Sequence, residues 1–124
     1  MDTNPKTQYG LTKPGIHAVP PLAILAIGQV MAFGASKYGL TNWRHDPVTA
    51  STYYNAAMRH LMAWWDGQDL DIESGQNHLA MAAANLCILL DAESGPWLLD
   101  DRPIEGYTNE FISDNTKDLP PNVE

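Results

Sequence analysis

From Leu79 to Leu90 the chain is apolar nearly all round a would-be helix, broken only by Asn85. A helix without a polar face belongs in the middle of a core rather than on its surface. Gly95-Pro96 ends the run, and an acidic segment precedes it, so a helix is expected over about 76–93. Everything else in a chain of 124 residues has to be arranged around that element.

Two further helices are legible. Pro20-Pro21 suits a helix start, and Leu22, Leu25, Ala26, Gln29, Val30 and Phe33 follow at helical spacing until Gly39. Thr49 or Ser51 can cap a second helix through Tyr53, Ala56, Ala57, His60, Leu61 and Trp64 to Trp65, closed by Gly67. Asp71 is a possible cap for the third helix. No convincing strand pattern is seen. The expected fold is all-α: a compact helical domain of three main helices with an extended N-terminal arm and an acidic C-terminal tail. The arm covers 1–19, the helical core 20–95 and the acidic extension 96–124. Trp97-Leu98-Leu99 is expected to pack back, and the last ten or so residues to be mobile. Three helices bury a limited core. With four tryptophans and so apolar a third helix, a partner subunit is expected to cover part of it, as a homodimer or homotetramer.

Composition narrows the function classes. The longest apolar run is far short of the ~20 residues that cross a bilayer. The N-terminus has neither the basic start nor the apolar stretch of a signal peptide. The single Cys87 lies in the apolar run and is expected to be a buried thiol. A cytoplasmic protein without a membrane partner is expected. The net charge of −8 is uneven. Lys6, Lys13, Lys37, Arg44 and Arg59 stand against Asp2 and Asp46 in the first 60 residues, while Arg102 and Lys117 face thirteen acids in the remainder. Such acidity argues against duplex nucleic acid, whose binding rests on neutralised phosphates. A small polyanion remains open, as does a merely solvated acidic surface.

The polar chemistry concentrates between Arg59 and His78. His60 shares a helix face with Tyr53, Ala56, Ala57 and Trp64; it is either a core-edge histidine bonded to a carbonyl or part of a site. His78 and Asn85 lie two turns apart on the third helix, and form either interhelical hydrogen bonds or one wall of a ligand pocket. Asp66, Asp69, Asp71 and Glu73 place four carboxylates within eight residues. Crowded carboxylates repel unless a cation relieves them. Oxygen donors of this kind suit Mg²⁺ or Mn²⁺, and His60 and His78 would extend the choice to Co²⁺ or Zn²⁺. An acidic loop that merely caps a helix is the plainer reading. Lys37, Arg44 and Arg59 are candidate phosphate ligands, and Trp43, Tyr38 and Tyr53 candidate stacking partners for a base. Lys37-Tyr38-Gly39 with Asn42-Trp43-Arg44 gathers several of these at one helix-ending turn.

These residues form a recognisable series. Phe33-Gly34-Ala35-Ser36-Lys37-Tyr38-Gly39, Asn42-Trp43, Tyr54-x-x-Ala57-x-Arg59-His60-Leu61, Asp71-x-Glu73-Ser74-Gly75-x-x-His78-Leu79-Ala80 and Asn85-Leu86 together resemble the phage-encoded dATP/dGTP diphosphohydrolase family. The resemblance spans roughly Lys13 to Asp91. It implies an all-α enzyme similar in activity to MazG-like pyrophosphohydrolases, which release pyrophosphate and leave the nucleoside monophosphate. It also implies host cytoplasm as the setting. The arm departs from the family pattern at Gly15 and His17, and Met81 stands where a second histidine often follows His78.

The function expected is metal-dependent hydrolysis of a purine deoxynucleoside triphosphate of the dATP/dGTP class. Asp66, Asp71, Glu73, His60 and His78 would hold the metal, with Glu73, His60 and His78 catalytic. Lys13, Lys37, Tyr38, Asn42, Trp43, Arg44, Arg59 and Asn85 would bind the substrate. The alternative is a protein that binds or sequesters a purine nucleotide without hydrolysing it.

Overall fold

The structure is a computed structural model and describes residues 2–121. Among the described residues its regular elements are all helices apart from two strands of two residues each. The helices are α1 (Pro5–Gly10), α2 (Pro21–Tyr38), α3 (Ala50–Trp65), α4 (His78–Glu93) and α5 (Thr108–Asp114). A 3₁₀ turn spans Asn42–Arg44. The strands are β1 (Val48–Thr49) and β2 (Leu98–Leu99). No helix among the described residues is long and apolar enough to cross a membrane.

The three expected main helices are present, and α4 is the element against which both α2 and α3 pack. It does so through small side chains: Ala80, Ala82, Ala84 and Ala92 are buried, together with His78. Its leucines are another matter. Leu79, Leu86 and Leu90 are exposed, and Cys87, expected as a buried thiol, is exposed beside them. Alanine lets neighbouring backbones approach closely, so the alanines are covered by the packed elements while these bulkier leucines stay outward.

Local chemistry sets the element ends. Pro20 and Pro21 open α2, and Gly39, at φ 90°, closes it by donating its N–H to the Ala35 carbonyl. Thr49 occupies the cap position of α3 but makes no side-chain cap bond. Asp101 supplies the cap from fifty residues away, accepting from the Ser51 N–H at 2.8 Å and from the Ser51 hydroxyl. Asn77, rather than Asp71, caps α4, its Oδ1 accepting from the Ala80 N–H at 3.0 Å.

Three expectations need correction. The arm is not wholly extended: Asn4 caps the short α1, its Oδ1 accepting from the Lys6 N–H at 2.8 Å, with Pro5 in the first position. Trp97-Leu98-Leu99 does pack back, but as a strand. Val48 pairs with Leu98 and Thr49 with Leu99 in a parallel sheet, which two residues per strand could not announce by alternation. The acidic extension contains α5, which buries no residue. The mobility expected of the last ten or so residues falls partly outside the described residues.

The core gathers where these corrections lie. Trp43, Val48 and Ala92 are buried together, with Met31, Tyr53, Ile88, Trp97 and Leu98 packed against them. Gly95 makes this possible. A Cβ there would stand 2.5 Å from the Trp97 ring, so only glycine lets the chain turn Trp97 onto the end of α4.

Candidate functional site

One cavity of about 860 Å³ opens between α2, the turn after it, and α4. Its polar lining comes from two distant parts of the sequence. Lys37, Tyr38, Thr41 and Asn42 form one wall; Asp71, Glu73, Ser74 and Gln76 form the other; Asn85 stands on α4 between them. Its apolar floor includes Met31, Phe33, Met81 and Ile88. The turn that carries Lys37 and the acidic loop thus face the same space.

The loop between α3 and α4 is held in place by its backbone. Leu70 and Asn77 bridge antiparallel, the Asp71 N–H donates to the Gln76 carbonyl at 2.8 Å, and the Gly75 N–H to the Asp71 carbonyl at 2.8 Å. Gly75 sits at φ 72°, a conformation natural to glycine. The Asp71 carboxylate accepts from the Ser74 hydroxyl at 2.8 Å and the Ser74 N–H at 3.0 Å. These bonds, from the Ser74 hydroxyl first, hold its carboxyl below the usual range, so it carries its charge into the cavity wall. Lys37 is extended along its own helix, its Nζ 4.2 Å from the centre of the Phe33 ring. Tyr53 also lines the cavity, and burial raises its hydroxyl's pKa, with Tyr38 and Asp46 adding to the effect.

Several expected site residues are employed elsewhere. Arg44 is committed to Asp91, its Nε donating at 2.9 Å and its Nη2 at 2.7 Å, while its guanidinium lies 5.0 Å over Trp97. Trp43 is buried, and its Nε1 donates to the same Asp91 at 2.7 Å. At 7% exposure Trp43 lines the cavity but offers no free stacking platform for a base. Asn85 donates to the Met81 carbonyl of its own helix at 3.0 Å, so of its two readings the interhelical bond is not seen, and it stands in the cavity wall. Arg59 is exposed on α3 and Lys13 is exposed in the arm; neither lines the cavity. Lys13 instead lies over the Tyr9 ring at 4.8 Å.

The two histidines find each other. His60 Nδ1 and His78 Nδ1 are 2.9 Å apart, and His78 Nε2 lies 2.5 Å from Gln68 Oε1. An amide oxygen only accepts, so His78 Nε2–H donates to Gln68, and in the neutral ring its Nδ1 then accepts a hydrogen bond from His60 Nδ1–H. This relay fastens the start of α4 to α3. Burial, followed by the neighbouring His78, lowers the His60 pKa and favours its neutral form. Neither imidazole lines the cavity. Asp66 lines a separate depression beside Leu61–Trp65. The five-residue ligand set therefore does not converge, and among the described residues no three His, Cys, Asp or Glu side chains are grouped to hold a metal ion.

The sequence reading passed over Thr41, Ser74 and Gln76 as cavity residues, and over the role of Gly28 and Gly34. Both glycines lie inside α2 and line the cavity, with nothing within 4 Å of where a Cβ would sit. Glycine within a helix costs about 0.5–1 kcal/mol relative to alanine, which was the signal available.

Comparison with known proteins bears on this arrangement. Residues 3–102 match the family model described as dATP/dGTP diphosphohydrolase, N-terminal. A protein of Salmonella phage PMBT28 named dATP/dGTP diphosphohydrolase is 30% identical over 91 residues, covering 73% of this chain. The chain spans only 29% of that relative's length. No solved structure matches. The family match takes in α1 to α4, both strands and every residue of the cavity; the chain belongs to the dATP/dGTP diphosphohydrolase N-terminal family.

Proposed function

We propose that the cavity binds a purine deoxynucleoside triphosphate and that the protein hydrolyses it to the monophosphate and pyrophosphate. The observation that carries this reading is the meeting of Lys37, Tyr38 and Asn42 with Asp71 and Glu73 around one cavity, in a chain of this family. Its volume of about 860 Å³ falls in the range of roughly 300–1,000 Å³ typical of small-molecule sites. The relative's printed name supplies the substrate class.

In this reading the triphosphate lies along the Lys37 wall, where the ammonium offsets charge that grows on the phosphate oxygens as the anhydride bond breaks. The exposed Tyr38 ring and the Asn42 amide offer the base a stacking face and a hydrogen-bonding edge. A water attacks the α-phosphorus, pyrophosphate leaves, and Glu73 takes the proton from the attacking water.

The expected metal set does not form a ready-made cage. A nucleotide-borne Mg²⁺ needs less, since it keeps several waters and takes one or two carboxylates beside the phosphates. Asp71 and Glu73 are the residues that would hold it, and when bound it would neutralise phosphate charge. His60 and His78 drop out of the chemistry in this reading, because they face each other and not the cavity. A cytoplasmic setting, where such nucleotides occur, belongs to the same proposal.

The test is to incubate the full chain with dATP or dGTP and Mg²⁺, Mn²⁺ or Co²⁺, and to follow products by phosphorus NMR. Pyrophosphate with the monophosphate is expected, and Lys37→Ala should weaken nucleotide binding by about tenfold, the loss of one charged contact. Folded protein that binds nucleotide without turnover would replace this reading with the sequestering one. Folded protein that binds none would end both.

A further inference from the structure

His78 is 3% exposed, and the chemistry proposed above makes no use of it. A buried imidazole needs partners for its nitrogens. One bond runs to His60 on α3 and the other to Gln68. Local structure delivers Gln68 to that place. Gly67, at φ 104°, ends α3 in the glycine turn common at helix ends. The Gln68 N–H donates to the Ala63 carbonyl at 3.0 Å, and the Gly67 N–H to the Trp64 carbonyl at 3.0 Å. That turn ties the Gln68 backbone to the last turn of α3, and its side chain reaches the first residue of α4.

The three side chains clasp the base of a loop. Gln68 stands where the chain leaves α3, and His78 where it enters α4. Beside their side-chain bond, the His78 N–H donates to the Asp69 carbonyl at 3.0 Å. Asp71, Glu73, Ser74 and Gln76 occupy the rest of the loop and line the cavity. Glu73 takes part in neither ion pair found among the described residues, so the loop backbone places its carboxylate. Apolar contacts at the base would join the helices as well, but they are non-directional. A chain of hydrogen bonds fixes distances and angles.

We propose that Gln68, His78 and His60 are positioning residues, whose hydrogen-bonded chain sets where the acidic loop presents Asp71 and Glu73 to a nucleotide in the cavity. This rests on the hydrolytic reading above. None of the three lines the cavity, so they act through the loop and not on the substrate. A misplacement of about 1 Å can cost on the order of 100-fold in rate. The binding contacts assigned to Lys37, Tyr38 and Asn42 lie on the opposite wall and do not pass through the clasp.

Gln68→Met keeps the length of the side chain and loses its acceptor oxygen; Gln68→Glu keeps both. With the full chain, dATP and the most active of Mg²⁺, Mn²⁺ and Co²⁺, Gln68→Met should lower kcat at least tenfold and move KM less than threefold. Gln68→Glu should stay within threefold of the unaltered protein in both. Amide hydrogen exchange, followed without nucleotide, should be at least tenfold faster in Gln68→Met at Asp71 and Gly75, whose N–H groups bond within the loop. It should be unchanged at Gly39, across the cavity. Unchanged exchange in the loop overturns the proposal, as does faster exchange with kcat intact, or a loss that Gln68→Glu does not restore. Faster exchange at Gly39 as well would make Gln68 a support of the whole fold, and overturns it too. No turnover by the unaltered protein is a different result. It ends the hydrolytic reading and the catalytic consequence with it, while exchange still decides whether the clasp holds the loop.

Discussion

The two ends of one short segment have opposite fates. Lys37 and Tyr38, at the close of α2, face open space. Trp43 and Arg44, a few residues on, are drawn into a knot with Asp91 and Trp97 that fastens the turn to the end of α4. A cation beside an aromatic residue is thus a candidate ligand at one end and a rivet at the other. The deciding factor is not the residue pair but whether a carboxylate stands within reach. Asp91 is the partner of Arg44; among the described residues Lys37 meets the Phe33 ring and no carboxylate within salt-bridge distance.

The sharpest way to break this contrast is to empty the knot. Trp43 is 7% exposed, so Trp43→Ala removes a core aromatic and is expected to cost about 3–5 kcal/mol in urea unfolding. Nucleotide binding should fail with it, because the turn that carries Asn42 comes loose. Lys37→Ala, by contrast, should leave stability within about 0.5 kcal/mol while weakening binding. If Trp43→Ala costs no more than Lys37→Ala, the knot does not hold the turn.

Much of this division was beyond the sequence, for physical reasons. The long helices were legible because periodic apolar residues and the flanking Pro20, Gly39, Gly67 and Gly95 are local signals. The Asp91 carboxylate meets Arg44 across 47 positions, and Asp101 caps α3 across 50. No local pattern reports such partners. The histidines illustrate the same limit. Their presence among carboxylates suggested ligands, yet Gln68 and the helix crossing turned their nitrogens toward each other. The acidic loop and the turn after α2 line one cavity, although only Asp71 and Glu73 of the loop's four acids do so.

A gentler probe of the knot is acid. Hydrogen bonds from Arg44 and then from Trp43 hold the Asp91 carboxyl at about 2, against an ordinary 3.8. A carboxyl whose pKa is lower folded than unfolded stabilises the fold above the unfolded value. That contribution should be present above pH 3.8 and lost as the pH falls towards about 2. Asp100, held at about 2 by Arg102, titrates in the same window. Asp91→Asn separates them. Urea midpoints measured from pH 6 to pH 2.5 should fall less steeply in the variant than in the unaltered protein. Equal slopes would mean that the ion pair at the knot does not survive in solution.

The smallest expected effect probes the cavity end, and its sign is opposite. Gly34 precedes Lys37 by three residues and Tyr38 by four, so all three share a face of α2. Its missing side chain leaves open space beside the cavity. Gly34→Ala should therefore stabilise the protein by about 0.5–1 kcal/mol, by helix propensity alone, since the added methyl group meets nothing. Gly34→Met carries the same propensity advantage but fills the space beneath Lys37. It should keep the gain in urea stability and lower dATP affinity in a calorimetric titration. That pairing of outcomes would show a helix that forgoes stability to keep room for a ligand. Unchanged affinity in Gly34→Met would move the nucleotide away from this stretch of α2, and with it the role assigned to Lys37.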